Sequence, residues 1–358
     1  MSEGMGLSEN VKNMLDSMGS PTAERLRRLC EINGTSGDES RVREYILANI
    51  TPDEAHVDAL GNLICFKKGR NRPSKKIMFA AHMDEVGFIV TDVTAEGFVR
   101  FDAVGGVDPR VVYGRGLVLE SGARGVVGAK ALHQQTADER KKAPDFGGMY
   151  LDIGASSREE AEKLAPRGSC AYFDTDFFEF GAGFVKGKAI DDRAGCLIMM
   201  DMINFEQEYD AWYVFTTQEE IGTRGAKAAA FTVAPDIAFV LETTTACDIA
   251  GVSGDKRVCR LGEGCVVSFM DRGTVYDRGL YAMAFEQARK LGIAVQTKTL
   301  VAGGNDSGAI HVSRGGVRTC ALSVPTRCLH SPACVAKLSD IAAVGRMARA
   351  MLSAAGTL

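Results

Sequence analysis

Two histidines and several carboxylates stand where segments that read as buried strands come to an end. His82 follows the apolar run Ile77-Met78-Phe79-Ala80-Ala81 and precedes Met83 and Asp84. Asp191 and Asp192 come after Gly187-Lys188-Ala189-Ile190 and open an apolar stretch. Glu219 and Glu220 follow Trp212-Tyr213-Val214-Phe215-Thr216, Glu242 follows Ile237-Ala238-Phe239-Val240-Leu241, and His330 with Ser331 and Pro332 lies beyond an apolar run over 319–324. Ligands presented beyond strand ends are how open α/β sheets build sites. Mixed nitrogen and oxygen donors suit zinc, cobalt or manganese better than magnesium or calcium. The chemistry implied is metal-assisted hydrolysis by an activated water.

Each group has an ordinary reading. A lone histidine is usually a satisfied structural residue. Adjacent aspartates at a helix start can cap it and complement its dipole. Paired glutamates after a strand can sit in a solvated loop, although burying them without partners would be costly. The company these residues keep reverses those readings: apolar strands presenting His, Asp, Glu, Glu and His are improbable by chance. Residues two apart on an extended chain point to one side, so Asp84 is placed to accept a hydrogen bond from one ring nitrogen of His82 and leave the other for a metal. Asp191 is read as a bridge between two ions, with Asp192 orienting a neighbour. One glutamate of the 219–220 pair can be a ligand and the other a general base.

These residues need a frame. Residues 21–32 carry Leu26, Leu29, Cys30 and Ile32 at helical spacing, and Ser36 and Asp38 are placed to cap a second helix reaching Ile50. A strand pair over 56–59 and 62–66 follows. The continuous apolar strand over 76–81 fits a sheet covered on both faces. From about Val90 to about Phe180 the text becomes short strands broken by glycine, over 98–101, 111–113, 116–120, 125–129, 149–152 and 171–173, with one helix near 158–164. The polar stretch 134–144 reads as a loop. Alternation then returns: helices over 191–205, 225–231 and 279–291, strands over 212–216, 237–241, 266–270, 295–300 and 319–324, and a closing helix over 335–354. The fold class expected is α/β, a mixed and largely parallel sheet covered by helices. It would be built from 1–91 and 181–358 and interrupted by a β-rich insertion over 92–180.

The bulk numbers exclude several classes. A net charge of −4 over 358 residues argues against a nucleic-acid binder. No apolar stretch approaches the roughly 20 residues of a membrane span, and residues 1–20 hold no apolar signal segment. The ten cysteines form no C-x-x-C pair, so a zinc ribbon is not expected. They read as small buried hydrophobes of a reducing, cytoplasmic protein. His133, inside the insertion, is read as an interface or structural residue, and His56 and His311 as ordinary ones.

The motifs Thr35-Ser36-Gly37-Asp38-Glu39, Asp58-Ala59-Leu60-Gly61-Asn62, Ala81-His82-Met83-Asp84-Glu85-Val86-Gly87 and Gly187-Lys188-Ala189-Ile190-Asp191-Asp192-Arg193 follow one another along the chain. Gln218-Glu219-Glu220-Ile221-Gly222, Gly303-Gly304-Asn305-Asp306-Ser307-Gly308 and Arg327 to Pro332 complete the series. Together they resemble the cytosolic dinuclear-metal aminopeptidases, the group that includes tetrahedral aminopeptidases, glutamyl aminopeptidases and relatives once labelled endoglucanases. The resemblance implies two divalent ions per subunit, zinc or cobalt. His82, Asp191 and Glu242 would hold one, and Asp191, Glu220 and His330 the other. Glu219 would be the general base and Asp84 the partner behind His82. It also implies a PDZ-like insertion engaged in assembly, dimers building a hollow dodecamer, and short peptides with a free N-terminus as substrates. Glu242 stands where many relatives carry Asp, Asn305 and Ser307 where Thr and Ala are common, and Cys328-Leu329 where Tyr-Ile is common. Gly262-Glu263-Gly264-Cys265 lacks the usual proline. The alternatives are a deacylase or carboxypeptidase-like hydrolase with the same centre, or an assembly protein without activity. A glucanase would not need histidines beside its carboxylates.

Overall fold

The computed structural model describes residues 22–142 and 145–358; the expectation for residues 1–20 lies outside them. An eight-stranded mixed sheet forms the frame. Its order is Glu54–Val57, Leu63–Lys67, Ala211–Thr216, Ile77–His82, Ile237–Thr245, Arg318–Thr326, Cys265–Val267, Val295–Thr297. The strand Ile77–His82 is buried at every position and pairs in parallel with Ala211–Thr216 on one side and Ile237–Thr245 on the other. Its alternation divides two cores. Ile77, Phe79 and Ala81 pack with the helices Ile190–Asn204 and Leu338–Ala355. Met78 and Ala80 pack against Ala226, Ala229 and Ala230 of the helix Arg224–Val233. Apolar side chains on both faces are why this segment reads as a continuous hydrophobic run.

A closed six-stranded barrel is the second body. It runs in the order Gly87–Val93, Val99–Val104, Met149–Asp152, Arg124–Ala129, Gly116–Leu119, Cys170–Phe173. Phe88, Phe101, Leu117, Leu151 and Phe173 form its own core, with Phe88 edge-on to Phe101 at 5.4 Å and to Phe173 at 5.1 Å. Residues 83–86 alone separate His82 from the first barrel strand.

A small antiparallel sheet joins Phe178–Phe180, Phe184–Gly187 and Cys334–Lys337, with Gly187 opposite Cys334. This register brings the segment leading to Asp191 beside the segment that carries His330. The closing helix therefore starts later than the sequence suggests: Val335 and its neighbours are strand, and the helix begins at Leu338. Residues 111–113 are likewise not a strand. Pro109–Val111 is a 3-10 turn, with Asp108 accepting the Arg110 N–H and Pro109 at its start. Ser36 and Asp38 cap no helix. The second helix is Ser40–Ala48, Ser36 donates to Asp84, and Asp38 accepts from Arg41 and Tyr172. Within 134–144 the described residues include exposed 3-10 turns, Leu132–Gln134 and Glu139–Lys141.

Candidate metal centre

The side chains of His82, Asp191, Glu220, Glu242 and His330 meet beyond the carboxyl ends of the central strands. His82 is the last residue of its strand, in register with Thr216. Met83 N–H donates to the Thr216 carbonyl at 2.8 Å, so the chain carrying Glu219 and Glu220 leaves the sheet beside His82. Glu242 lies inside the strand Ile237–Thr245 rather than after it. The ladder from that strand to Ile77–His82 runs only from Ile237 to Val240, which opens the space that Glu242 faces. Asp191 and Asp192 stand at the head of the helix Ile190–Asn204 with non-helical backbone angles, joined by a cis peptide bond.

Asp191 sits between the two imidazoles. His82 Nε2 is 3.3 Å from Asp191 Oδ1 and 3.5 Å from Glu242 Oε1. His330 Nε2 is 3.6 Å from Asp191 Oδ2 and 3.2 Å from Glu220 Oε2. The other ring nitrogens face carbonyls, which only accept. His82 Nδ1 donates to the Asp84 backbone oxygen at 3.0 Å, and His330 Nδ1 donates to the Gly106 oxygen at 2.9 Å. Both rings thus aim Nε2 inward, as ligand histidines are normally oriented. The Asp84 carboxylate is farther from His82, at 3.6 Å, than the Asp84 carbonyl. It accepts instead from Ser36 Oγ at 2.6 Å and from the backbone N–H groups of Glu219 and Glu220 at 3.0 and 3.1 Å.

The centre carries more acid than base. Burial, reinforced by the Asp191 charge, pushes Glu220 up to about 8. Burial also lifts Glu242 to about 7, against the pull of His82 and with repulsion from Asp191. Glu219 rises well above the usual carboxylate range through burial and the charges of Glu242, Asp306 and Glu220. Burial disfavours the Asp191 charge, but the His330 and His82 imidazoles beside it outweigh burial and hold Asp191 well below that range. Burial also opposes the His330 cation, yet Asp191 and Glu220 lift it to about 9. Asp191 Oδ1 and Asp192 Oδ2 are buried and make no hydrogen bond. Carboxylates that retain protons, imidazoles that hold charge and orphaned inward oxygens all mark a place built for added positive charge. The donor set, two neutral-capable nitrogens and several carboxylate oxygens, fits divalent transition ions. Ligand atoms of His82, Asp191 and Glu220 lie within 4.8 Å of one another, as do those of His82, Asp192 and Glu242.

Two participants, Asp306 and Gly106, carried no assignment of their own in the sequence, and Asp192 was read only as orienting a neighbour. Asp192 belongs to the second of those groups. Asp306 is buried beside Glu219, accepts from Thr216 Oγ1 at 2.6 Å and leaves Oδ1 unpartnered. Gly106 belongs to the barrel and is remote in sequence from His330, so no local pattern could reveal their contact.

A helix-covered sheet that gathers imidazoles and buried acids beyond its strand ends defines a hydrolase of the metal-dependent peptidase class. Residues 61–347 match the M42 glutamyl aminopeptidase family, and the chain belongs to that family and is an aminopeptidase. A protein of Acetivibrio thermocellus, provisionally named an aminopeptidase, is 40% identical over 320 residues, 88% of this chain and 94% of its own. The aminopeptidase APDkam598 from the archaeon Desulfurococcus kamchatkensis superposes with a TM-score of 0.88 at 31% identity, covering 92% of this chain and 94% of its own. The Pyrococcus horikoshii TET1 peptidase, which can assemble into a tetrahedron or a large octahedral shell, gives 0.81 at 34% identity over 91% of this chain and 98% of its own.

Proposed function

We propose that this chain removes the N-terminal residue from short peptides with a free amino terminus, using two divalent ions, zinc or cobalt. His82, Asp191 and Glu242 would hold one ion, and Asp191, Glu220 and His330 the other. When bound, the ions polarise the scissile carbonyl and acidify the attacking water. Glu219 takes the proton of that water and passes it to the leaving amine. The Asp84 carboxylate holds the backbone from which Glu219 and Glu220 project. His82 and His330, with Nδ1–H fixed on carbonyls, keep their Nε2 lone pairs on the centre. The observation that carries this reading is Asp191, whose two oxygens face two inward nitrogens.

Residues 1–91 and 181–358 are taken as the catalytic unit and 92–180 as an assembly unit, PDZ-like by family likeness, through which dimers build a dodecamer. Support comes from the separately cored barrel, which begins a little ahead of that boundary at Gly87, from exposed Tyr113, Val126 and Leu132 in this segment, and from the shells of the TET1 relative. A cytoplasmic setting fits ten free cysteines, and no helix among the described residues is long and apolar enough to cross a membrane.

The test is a panel of aminoacyl substrates, free and N-acetylated, run on metal-reconstituted protein with native mass measured in parallel. Only free amines should be cleaved. Equal cleavage of acetylated substrates would replace this reading with the deacylase or carboxypeptidase-like one, and a chelator-insensitive, inactive shell would leave only assembly.

A further inference from the structure

Thr216 ends its strand, and the four backbone N–H groups that follow are all taken by side chains from elsewhere in the chain. Thr217 N–H donates to Asn62 Oδ1 at 2.9 Å and Gln218 N–H to Glu39 Oε1 at 3.1 Å. Glu219 N–H donates to Asp84 Oδ1 at 3.0 Å and Glu220 N–H to Asp84 Oδ2 at 3.1 Å. The Glu219 and Glu220 amides converge on one carboxylate, a donor pair of the kind that binds anions, and in this protein Asp84 occupies it while Glu39 holds the amide before. Gln218 adopts a φ of +55°, a left-handed conformation uncommon for a residue with a side chain, and it lies between the Asn62 and Asp84 contacts.

The holders are themselves held. Asn62 Nδ2 donates to Asp58 Oδ2 at 2.7 Å and to the Gly225 carbonyl at 3.0 Å. Glu39 Oε1 also accepts the Gly37 N–H at 2.9 Å. Glu39 is 4% exposed, and a carboxylate so buried destabilises a fold unless its hydrogen bonds are made. It occupies the N-cap of the helix Ser40–Ala48 but makes no side-chain bond to that helix. Its hydrogen bonds go to Gly37 and to the turn at Gln218.

We propose that Glu39 and Asn62 are positioning residues for the reaction: with Asp84 they clamp the turn 217–220 and set the aim of Glu219 and Glu220. The inference rests on the roles given above to those two glutamates. It also gives a physical purpose to Thr35-Ser36-Gly37-Asp38-Glu39 and Asp58-Ala59-Leu60-Gly61-Asn62, which lie far from the centre in sequence and contribute no ligand to it.

The test compares full-length Glu39→Ala, Glu39→Gln and Glu219→Gln. It reads kcat and KM on aminoacyl-nitroanilides, zinc affinity by competition with a chromophoric chelator, and the melting temperature. Glu39→Ala should lower kcat per folded molecule by about 10–100-fold with KM little changed, and weaken binding of one of two zinc ions, as lost outer-shell partners do. Glu39→Gln, which still offers an oxygen to Gln218, should recover most of the rate. Parent kcat and parent zinc affinity in Glu39→Ala would overturn the proposal. So would a lowered melting temperature with unchanged kcat per folded molecule. If Glu39→Ala does not fold, Glu39→Asp withdraws the carboxylate from Gln218 while keeping its charge; it should lose rate likewise, and parent rate would again overturn the clamp. If Glu219→Gln turns over at the parent rate, the base assignment fails whatever Glu39 does. If it is inactive while the Glu39 variants are normal, the clamp alone fails.

Discussion

His82 Nε2 lies 3.3 Å from Asp191 Oδ1, yet that oxygen is buried and makes no hydrogen bond. Two ligands of one proposed cation would approach this closely without a hydrogen bond between them. Asp191 should therefore serve both ions. Asp191→Asn should release both, whereas Glu242→Gln or Glu220→Gln should weaken one. Metal content after dialysis, measured by mass spectrometry, checks this. An Asp191→Asn protein that keeps two ions would remove the bridge.

Glu219→Gln preserves size and leaves the ligands in place. It should retain both ions and lose about 10²–10⁴-fold in kcat, the usual contribution of a positioned base. Turnover of an aminoacyl-nitroanilide, with metal content measured on the same sample, decides it.

Metal removal should make stability fall as pH rises. In the metal-free protein, burial and then Asp191 lift Glu220 to about 8, and burial with Asp191 lifts Glu242 to about 7. A carboxyl raised in the folded state stabilises the fold fully below its unfolded value, near ~4.3, and loses that contribution as pH passes 7 to 8. His330 has the same sign. Its contribution is complete below about 6.5 and disappears as pH passes about 9, the value to which Asp191 and Glu220 raise it against burial. Divalent ions replace these protons, so their binding strengthens over the same range. The gap in melting temperature between metal-loaded and chelator-treated protein should widen from pH 6 to pH 9. At one hundred times its Kd each ion adds about 2.7 kcal/mol. A constant gap would contradict this.

Gly105 has a φ of +89°, and a Cβ there would lie 3.0 Å from Val86 Cγ1 and 3.2 Å from Glu220 Cβ. Gly105→Ala should cost roughly 1–2 kcal/mol from the backbone alone and displace Glu220. We expect a lower melting temperature and weakened metal binding; parent values of both would show that Glu220 tolerates the contact.

Glu85 and Lys188 form a buried ion pair at 2.5 Å, 3% and 7% exposed, tying the His82 segment to the Asp191 segment. Lys188→Met should destabilise toward the low end of about 3–5 kcal/mol, because it leaves the buried Glu85 charge only the Gly34 N–H at 3.2 Å and the Arg193 guanidinium at 3.9 Å. Chemical denaturation measures the loss. Replacing both partners with apolar residues should restore much of it.

Much of the site was legible because chemistry and burial conflict there. His82, Glu220 and Glu242 stand out as polar residues attached to strands that are otherwise apolar, and strand direction carries them to one edge. The alternating sheet and helices were readable for the same reason. Cys334–Lys337 was not, since Val335 and Ala336 suit a helix equally well and only pairing with Phe184–Gly187 decides their state. Ser36 looked like a helix cap because its true acceptor, Asp84, is distant in sequence. The contact of Gly106 with His330 depends on how the barrel sits against the sheet, and periodicity holds no record of that.

The bond from His330 to the Gly106 carbonyl also limits how the molecule can be divided. One imidazole of the candidate centre takes its bearing from the loop that follows the barrel strand Val99–Val104, so on this reading the larger sheet would not be a self-sufficient enzyme with an ornament attached. Excising 92–180 and splicing the ends would leave every proposed ligand in the chain, yet that ring would be free to spin. Engineers seeking a minimal peptidase from this scaffold would have to supply a substitute acceptor for its Nδ1 proton.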